Sequence, residues 1–174
     1  MRTIILLAAA ATSLSACATL PTSGRDAGQS AGSGNPAAVV ERITYETSAC
    51  HGTCPVYAVT VDTDTGAGEF IGTQHVAVTG ASRFWATPAQ VRSFVHAVAA
   101  LRATPIGALE QGGTACATYA ADLPGATVTW QSPAGKRDVR RVDFGCAGQT
   151  NRALFDDLRS VPRVLPIAEL IGRR

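Results

Sequence analysis

The sequence has few charged residues, few aromatic residues and almost no lysine. Of its 174 residues, 16% are charged and 6% are aromatic, and Lys136 is the only lysine among 15 basic residues. The basic residues are scattered and nearly balanced by 13 acidic ones, which excludes the concentrated positive charge typical of nucleic-acid binding. The scarcity of aromatic side chains also argues against a platform on which bases stack. We therefore predict no nucleic-acid partner.

Long hydrophobic runs are also missing. The apolar run Ile4–Ala11 is far shorter than the roughly 20 residues that a membrane-spanning helix needs. Arg2 precedes this run, and a positive residue followed by a short apolar stretch is typical of a secretion signal. The sequence therefore predicts that the chain is exported and has no membrane-spanning helix.

The apolar run leads into Leu14-Ser15-Ala16-Cys17, which resembles the lipobox of bacterial lipoproteins. The resemblance implies that residues 1–16 are a signal peptide and that Cys17 becomes the acylated N-terminus. Several acyl chains suffice for stable membrane anchoring. Ala18 follows the cysteine, and the lipoprotein resemblance then implies an outer-membrane protein that faces the periplasm. The alternative is ordinary secretory cleavage after Ala16, which leaves Cys17 as an incidental thiol.

The remaining chain divides into a linker and one domain. Residues 17–40 are rich in Gly, Ser, Ala and Pro, and they contain too little apolar surface to offset the entropy of ordering. We predict a flexible tether with a span of roughly 25 Å. Residues 41–174 are numerous enough to bury a hydrophobic core, so we predict a single globular domain there.

The pattern within this domain predicts an α+β fold. We expect a mostly antiparallel sheet of about five to six strands with two helices packed on one face. The predicted strands are Ile43–Thr47, Val56–Asp62, Gly68–Gly72, Val76–Thr79, Ala126–Trp130 and Arg137–Phe144. Val139 is out of phase with Val142 in the last strand, which indicates a β-bulge near Arg140 and Arg141.

Two segments have the features of helices. Thr87 is a candidate N-cap, Pro88 would occupy the first helical position, and Gln90 stands where a capping box requires it. The apolar stripe of this helix is predicted to contain Val91, Phe94, Val95, Val98 and Leu101. A second helix is predicted over Asn151–Val161, with Leu154, Leu158 and Val161 facing inward.

Apart from Cys17, the chain has four cysteines: Cys50, Cys54, Cys116 and Cys146. An even number in an exported domain favours two disulfides, for which three connectivities exist. We favour Cys50–Cys54 with Cys116–Cys146, because the second pair brackets a predicted hairpin whose strands bring its ends together. By loop-closure entropy, the disulfide that closes the longer loop should stabilise the fold by about 4 kcal/mol and the one that closes the shorter loop by about 2 kcal/mol. Spacing alone leaves the connectivity open.

The densest segment surrounds the first two cysteines. It consists of Cys50, His51, Gly52, Thr53, Cys54, Pro55 and, after one residue, Tyr57. This segment resembles the bacterial domain of unknown function 6438, whose members carry a C-x-G-T-C-P-x-Y signature between two strands. Asp122, at the entry to a later strand, also fits the family pattern, and the resemblance covers roughly residues 41–165. The family implies small exported or lipid-anchored proteins but no activity.

Two interpretations of this motif remain open. In the first, the motif is structural: Gly52 permits a tight turn, Cys50 and Cys54 lock it, and Pro55 ends it. In the second, Cys50, His51 and Cys54 form a thiol-redox site or bind copper or zinc, since the spacing also resembles copper-delivering assembly factors. In those factors a helix follows the second cysteine, whereas here the sequence predicts a strand. We therefore predict no cofactor, with copper or zinc as the alternative.

The sequence gives little evidence for other kinds of catalytic site. No Gly-x-Ser-x-Gly elbow occurs, and Asp156 and Asp157 are adjacent on a predicted helix, where their side chains diverge. Arg137, Arg140 and Arg141 either form an anion-binding patch or belong to a solvated face. Tyr57 is expected in the core, because it alternates in phase with valines. We predict a non-catalytic binding or structural module whose partner, besides the membrane, is an envelope protein or a small ligand.

Overall fold

The computed structural model describes residues 41–172, so the predicted signal peptide at 1–16 and the predicted lipid-bearing tether at 17–40 lie outside it. The described residues form eight strands, three α-helices and one 3-10 turn, Gln149–Asn151. The strands are β1 (Arg42–Thr47), β2 (Val56–Asp62), β3 (Ala67–Gln74), β4 (Gly80–Trp85), β5 (Thr118–Tyr119), β6 (Gly125–Gln131), β7 (Arg137–Asp143) and β8 (Cys146–Ala147). The helices are α1 (Pro88–Ala103), α2 (Arg152–Val164) and α3 (Ala168–Ile171). None of these helices is long and apolar enough to cross a membrane.

Six of the strands form one antiparallel sheet in the order β4-β3-β2-β1-β6-β7, and β5 pairs with β8 in a separate small sheet. The alternation of side chains along each strand determines which face is buried. In β2, for example, Tyr57, Val59 and Val61 are buried, while the residues between them are partly exposed. The predicted α+β fold with a mostly antiparallel sheet is confirmed.

The hydrophobic core lies between one face of this sheet and the helices α1 and α2. Phe94 and Val98 of α1 and Leu158 of α2 are completely buried in the same cluster as the inward side chains of the strands. The rings of Tyr57 and Phe70 stack at 5.4 Å between their centroids. The opposite face of the sheet is not covered by a helix of the described residues.

Helix α1 begins where the sequence predicts. The Thr87 side chain accepts a hydrogen bond from the Gln90 amide at 3.3 Å, and the Gln90 side chain accepts one from the Thr87 amide at 2.9 Å. Val95, however, is 37% exposed, and Ala97 is buried instead. Both residues lie about 80° from the centre of the apolar stripe, on opposite sides. Helix α2 packs on the side of Ala97, where the small side chain permits close approach.

The strand predicted at Val76–Thr79 is wrong, because these residues form a loop and the strand β4 follows them. The amides of Ala77 and Val78 donate to the carbonyls of Ile171 and Leu170, each at 3.0 Å. The backbone of this loop is therefore bonded to the end of α3 and has no partner strand.

The bulge predicted near Arg140 and Arg141 is also wrong. The pairing of β6 with β7 runs without a shift from Gly125–Asp143 to Gln131–Arg137. Val139 faces the uncovered side of the sheet and is 37% exposed, whereas Val142 faces the core. The regular alternation places Arg140 on the covered face, where its guanidinium bonds to Asp138 and to the Thr104 carbonyl.

The second predicted helix is present as α2, which runs three residues further than expected and includes Pro162. Leu158 and Val161 are buried as predicted, whereas Leu154 is only half-buried. Phe155 contributes a further core side chain, and its ring meets that of Phe144 edge-on at 5.4 Å between centroids.

Two valines of α1 test the face that the structure assigns to the core. Val98 is completely buried and Val95 is 37% exposed. We expect Val98→Ala to lower the free energy of unfolding by about 2 kcal/mol, because it removes apolar contacts and leaves a cavity. Val95→Ala is the matched control and should change it by less than about 0.5 kcal/mol. Urea denaturation measures both, and equal losses would contradict this packing.

Candidate functional site

The cysteine motif forms a short turn between β1 and β2. Cys50 and Cys54 are joined by a disulfide, with their Cα atoms 5.7 Å apart. Inside the turn the Gly52 amide donates to the Cys50 carbonyl at 2.9 Å, and Gly52 has a φ of 155°. Residues with a side chain rarely adopt this conformation, which explains the glycine at this position.

The end of the turn is held by Thr47 at the end of β1. Its hydroxyl donates to the Pro55 carbonyl at 2.8 Å and accepts from the Tyr57 amide at 3.1 Å. The pairing of β1 with β2 ends at Glu46 and Ala58, so the Thr47 hydroxyl takes the place of the regular ladder where β2 begins. Tyr57 itself is a core residue, and burial raises the pKa of its hydroxyl far above the usual value.

The turn is also bonded to the loop that precedes β6. The His51 amide donates to the Asp122 carbonyl at 3.3 Å. Ser48 donates its amide to the Gly125 carbonyl at 3.0 Å, and its hydroxyl accepts from the Gly125 amide at 2.6 Å. The structure therefore brings Asp122 next to the motif, where its backbone takes part in the contact.

An open groove of about 600 Å³ lies beside this junction. One wall consists of residues around Ser48, immediately before the motif, and of Leu123. The other wall contains Glu110 and Tyr119, and side chains of β6 and β7 form the floor, among them Arg141. The groove is predominantly polar, so it suits a polar ligand.

The second disulfide holds the wall that contains Tyr119. Cys116 and Cys146 are bonded, with their Cα atoms 4.6 Å apart, and Cys146 pairs with Tyr119 in the β5–β8 sheet. The buried Asn151 donates its side-chain amide to the carbonyls of Ala115 and Cys146, at 2.8 and 3.1 Å. Both predicted disulfides are therefore present, and each supports one side of the groove.

Tyr119 and Asp143 form a hydrogen-bonded pair at the edge of the groove. The Tyr119 hydroxyl donates to one carboxylate oxygen of Asp143 at 2.9 Å, and the other oxygen accepts from the Gly145 amide at 2.8 Å. The hydrogen bond to Asp143 raises the pKa of Tyr119, with smaller contributions from desolvation and from the charges of Asp143 and Asp122. The Tyr119 hydroxyl is therefore held by Asp143 at the edge of the groove.

The residues proposed for a metal, Cys50, His51 and Cys54, share one turn, but they do not form a metal-ligand set there. Within residues 41–172 no three side chains of His, Cys, Asp or Glu are placed to hold a metal ion. The sulfurs of Cys50 and Cys54 are bonded to each other, whereas copper and zinc bind thiolates. His75 follows β3 and His96 lies on α1, so neither imidazole belongs to the motif turn. In its disulfide form this turn does not fit a soft metal.

The three arginines of β7 also diverge. Arg140 faces the helices, while Arg137 and Arg141 lie on the uncovered face, and of these only Arg141 lines the groove. Sequence reasoning missed Ser48, Glu110 and Tyr119 as groove residues. No motif marks them, because they meet only through the pairing of segments that are distant in sequence.

The family model for a domain of unknown function (DUF6438) matches residues 41–162. The chain belongs to this family. No curated protein and no solved structure matches it. The matched region ends at Pro162 in α2 and includes every groove residue named above, so the groove is part of the DUF6438 domain.

The two disulfides should differ in their effect on stability. We expect Cys116→Ser/Cys146→Ser to lower the free energy of unfolding by about 4 kcal/mol and Cys50→Ser/Cys54→Ser by about 2 kcal/mol. The reason is that Cys116 and Cys146 are 30 residues apart in sequence, whereas Cys50 and Cys54 are only 4 apart, so the first bond restricts the unfolded chain more. Denaturant titration of the two double variants measures the difference, and the wild-type chain in reductant is the control. A larger loss from the shorter loop would contradict the assignment.

The tyrosines give a pH-dependent prediction. Burial raises the pKa of Tyr45 and Tyr57, and the hydrogen bond to Asp143 raises that of Tyr119. The folded state therefore retains phenolic protons that the unfolded state loses near pH 10, and stability should fall as the pH rises above about 10. Absorbance at 295 nm at pH 10 should show little phenolate in the native protein and about half ionisation in denaturant. Half ionisation of the native protein would contradict these environments.

Proposed function

We propose that this DUF6438 protein is a lipid-anchored envelope protein that faces the periplasm from the outer membrane and binds a polar partner without catalysing a reaction. The observation that carries the proposal is the groove, because both disulfides support its walls. The lipobox-like segment ending in Cys17 supports the anchor. The ligand class is a charged small molecule or a charged segment of another envelope protein.

The charges of the groove support binding of such a partner. Arg141 is exposed and Glu110 is half-buried, and neither side chain takes part in a salt bridge within residues 41–172. A ligand with groups of both signs can therefore pair with these side chains without first breaking an internal ion pair. Charge-assisted hydrogen bonds of this kind contribute more to binding than neutral ones.

The groups in the groove favour binding over catalysis. Asp143 is held in place by two hydrogen bonds, one from the Tyr119 hydroxyl and one from the Gly145 amide, which suits a positioning role. This pair therefore holds the shape of the wall and presents hydrogen-bonding groups to a ligand.

Photocrosslinking in cells tests the binding proposal on the full-length protein. A photoreactive amino acid replaces Gln111 in the groove or, as a matched exposed control, Arg163 on α2. We expect an adduct from position 111 and none from position 163, and Arg141→Ala should reduce its yield. Adducts that are absent at position 111, or equal at both positions, would contradict a binding groove.

The alternative function is a thiol-redox or copper or zinc site at Cys50, His51 and Cys54. His51 is exposed and both cysteines are partly exposed, so solvent and reductants reach the turn. Thiol titration in denaturant, with metal analysis of the protein isolated from the periplasm, separates the two functions. No thiol from the motif cysteines and no bound metal support the binding module. Two free thiols or stoichiometric copper or zinc would overturn it.

The anchor has its own test. We expect the wild-type protein to remain with the membrane fraction until detergent is added. Cys17→Ala should release it or leave it as unprocessed precursor, because the acyl chains can no longer be attached. Ser15→Ala is the control, since it retains the cysteine. An unchanged distribution and mass of Cys17→Ala would contradict lipidation.

A further inference from the structure

The two edges of the six-stranded sheet differ in how they are protected. Exposed edge strands present unpaired backbone groups, and proteins commonly block them with charged side chains or covering loops. At one edge, five of the seven residues of β7 are charged, and the Asp143 amide already donates to the Leu109 carbonyl at 2.8 Å. At the other edge, β4 has one charged residue among six, Arg83.

The backbone groups of β4 alternate between its partner strand and the open edge. The Ala86 amide donates to the Gly66 carbonyl at 2.8 Å, which marks this opposed pair as a hydrogen-bonded one. Counting along the register in steps of two, Ser82 and Phe84 also face β3. The amides and carbonyls of Ala81, Arg83 and Trp85 therefore point away from the sheet. These three residues are exposed, and they are called the β4 edge below.

The side chains of the β4 edge all lie on the uncovered face of the sheet. Trp85 is 70% exposed, whereas the other tryptophan, Trp130, is 3% exposed. Arg83 takes part in no salt bridge among the described residues, and the residue opposite it on β3 is Glu69. An added strand would therefore meet a large apolar surface at Trp85 and a positive charge at Arg83.

We propose that the β4 edge binds an extended peptide of a partner protein as a seventh, antiparallel strand. Each of the three edge residues would exchange two backbone hydrogen bonds with the residue opposite it. Cross-strand pairing then selects an acidic residue opposite Arg83 and a β-branched residue opposite Trp85. The partner is therefore an acidic, strand-forming segment. This site is separate from the groove, so the two proposals stand independently.

A second copy of this chain fits the edge less well. A symmetric antiparallel pair of β4 strands centred on Arg83 would place two arginines directly opposite each other, and like charges in that position are destabilising. The edge therefore favours a partner of opposite charge over self-association.

The probe is the blocked pentapeptide acetyl-Val-Thr-Glu-Thr-Val-amide, which in an antiparallel pairing centred on Arg83 places Glu opposite Arg83 and a Val opposite Trp85. Binding is followed by the fluorescence of Trp85 and by amide exchange of the full chain. We expect saturable quenching, with new protection of the Ala81, Arg83 and Trp85 amides. The amides of Ser82 and Phe84 should be protected with or without peptide, because they bond to β3.

Modified peptides test the backbone pairing on the unaltered protein. N-methylation of the central Glu removes an amide that faces β4 and should weaken binding about tenfold or more. N-methylation of a Thr, which faces away, is the matched control and should have little effect. Replacing Glu by Lys should weaken binding about three- to tenfold through the charge at Arg83. Equal effects of the two N-methylations would overturn the proposal.

Two variants separate the backbone contribution from the charge. Arg83→Pro removes a backbone amide that points away from the sheet, so it should abolish peptide binding. Proline is tolerated in edge strands when its nitrogen faces away from the partner strand, so the variant should still fold. Arg83→Ala retains the amide and should only weaken binding. If Arg83→Pro fails to fold, the N-methylated peptides still decide the question. The proposal would be overturned if the peptide produced no new amide protection at the β4 edge. It would also be overturned if these amides became protected without peptide as the protein concentration rises, because that result indicates that a second copy of the chain occupies the edge.

Discussion

The burial of only one face of the six-stranded sheet is the constraint on which the rest of the structure depends. Helices α1 and α2 cover that face, and the alternation along each strand sends apolar side chains into a single core. Among the described residues, the opposite face and the outer side of β4 remain available to solvent or to partners, whereas the Asp143 amide at the β7 edge is bonded to the Leu109 carbonyl. The two disulfides add cross-links near the ends of the strands: one closes the turn between β1 and β2, and the other joins Cys116 to the core residue Cys146.

The two disulfides lie near the groove, and one of them gives the family motif a structural role. The turn closed by Cys50 and Cys54 does not extend the core but contacts the loop that carries Asp122. The bond between Cys116 and Cys146 holds the strand of Tyr119 in the opposite wall.

Local patterns predicted the elements well where they reflect local physical effects. The capping box at Thr87 and the hairpin of β6 and β7 depend on neighbouring residues, and both were predictable. The wrong predictions concern residues whose burial or hydrogen bonding depends on a segment that is distant in sequence. Val95 and Ala97 are equivalent on the helix, and only the position of α2 determines which is buried. Residues 76–79 have strand-like composition, but the amides of Ala77 and Val78 are bonded to the end of α3.

The sequence by itself determined the one-sided α+β architecture, the helix start and the family, because alternation, caps and the cysteine motif are properties of short segments. It favoured one cysteine pairing but left the connectivity open. The tertiary structure alone decided where the groove lies and which sheet edge is open. The groove depends on contacts such as that between Ser48 and Gly125, which are 77 residues apart. The open edge depends on strand order, and β4 is exposed only because no described strand pairs with its outer side. Both features depend on long-range pairing, which single-sequence patterns do not specify.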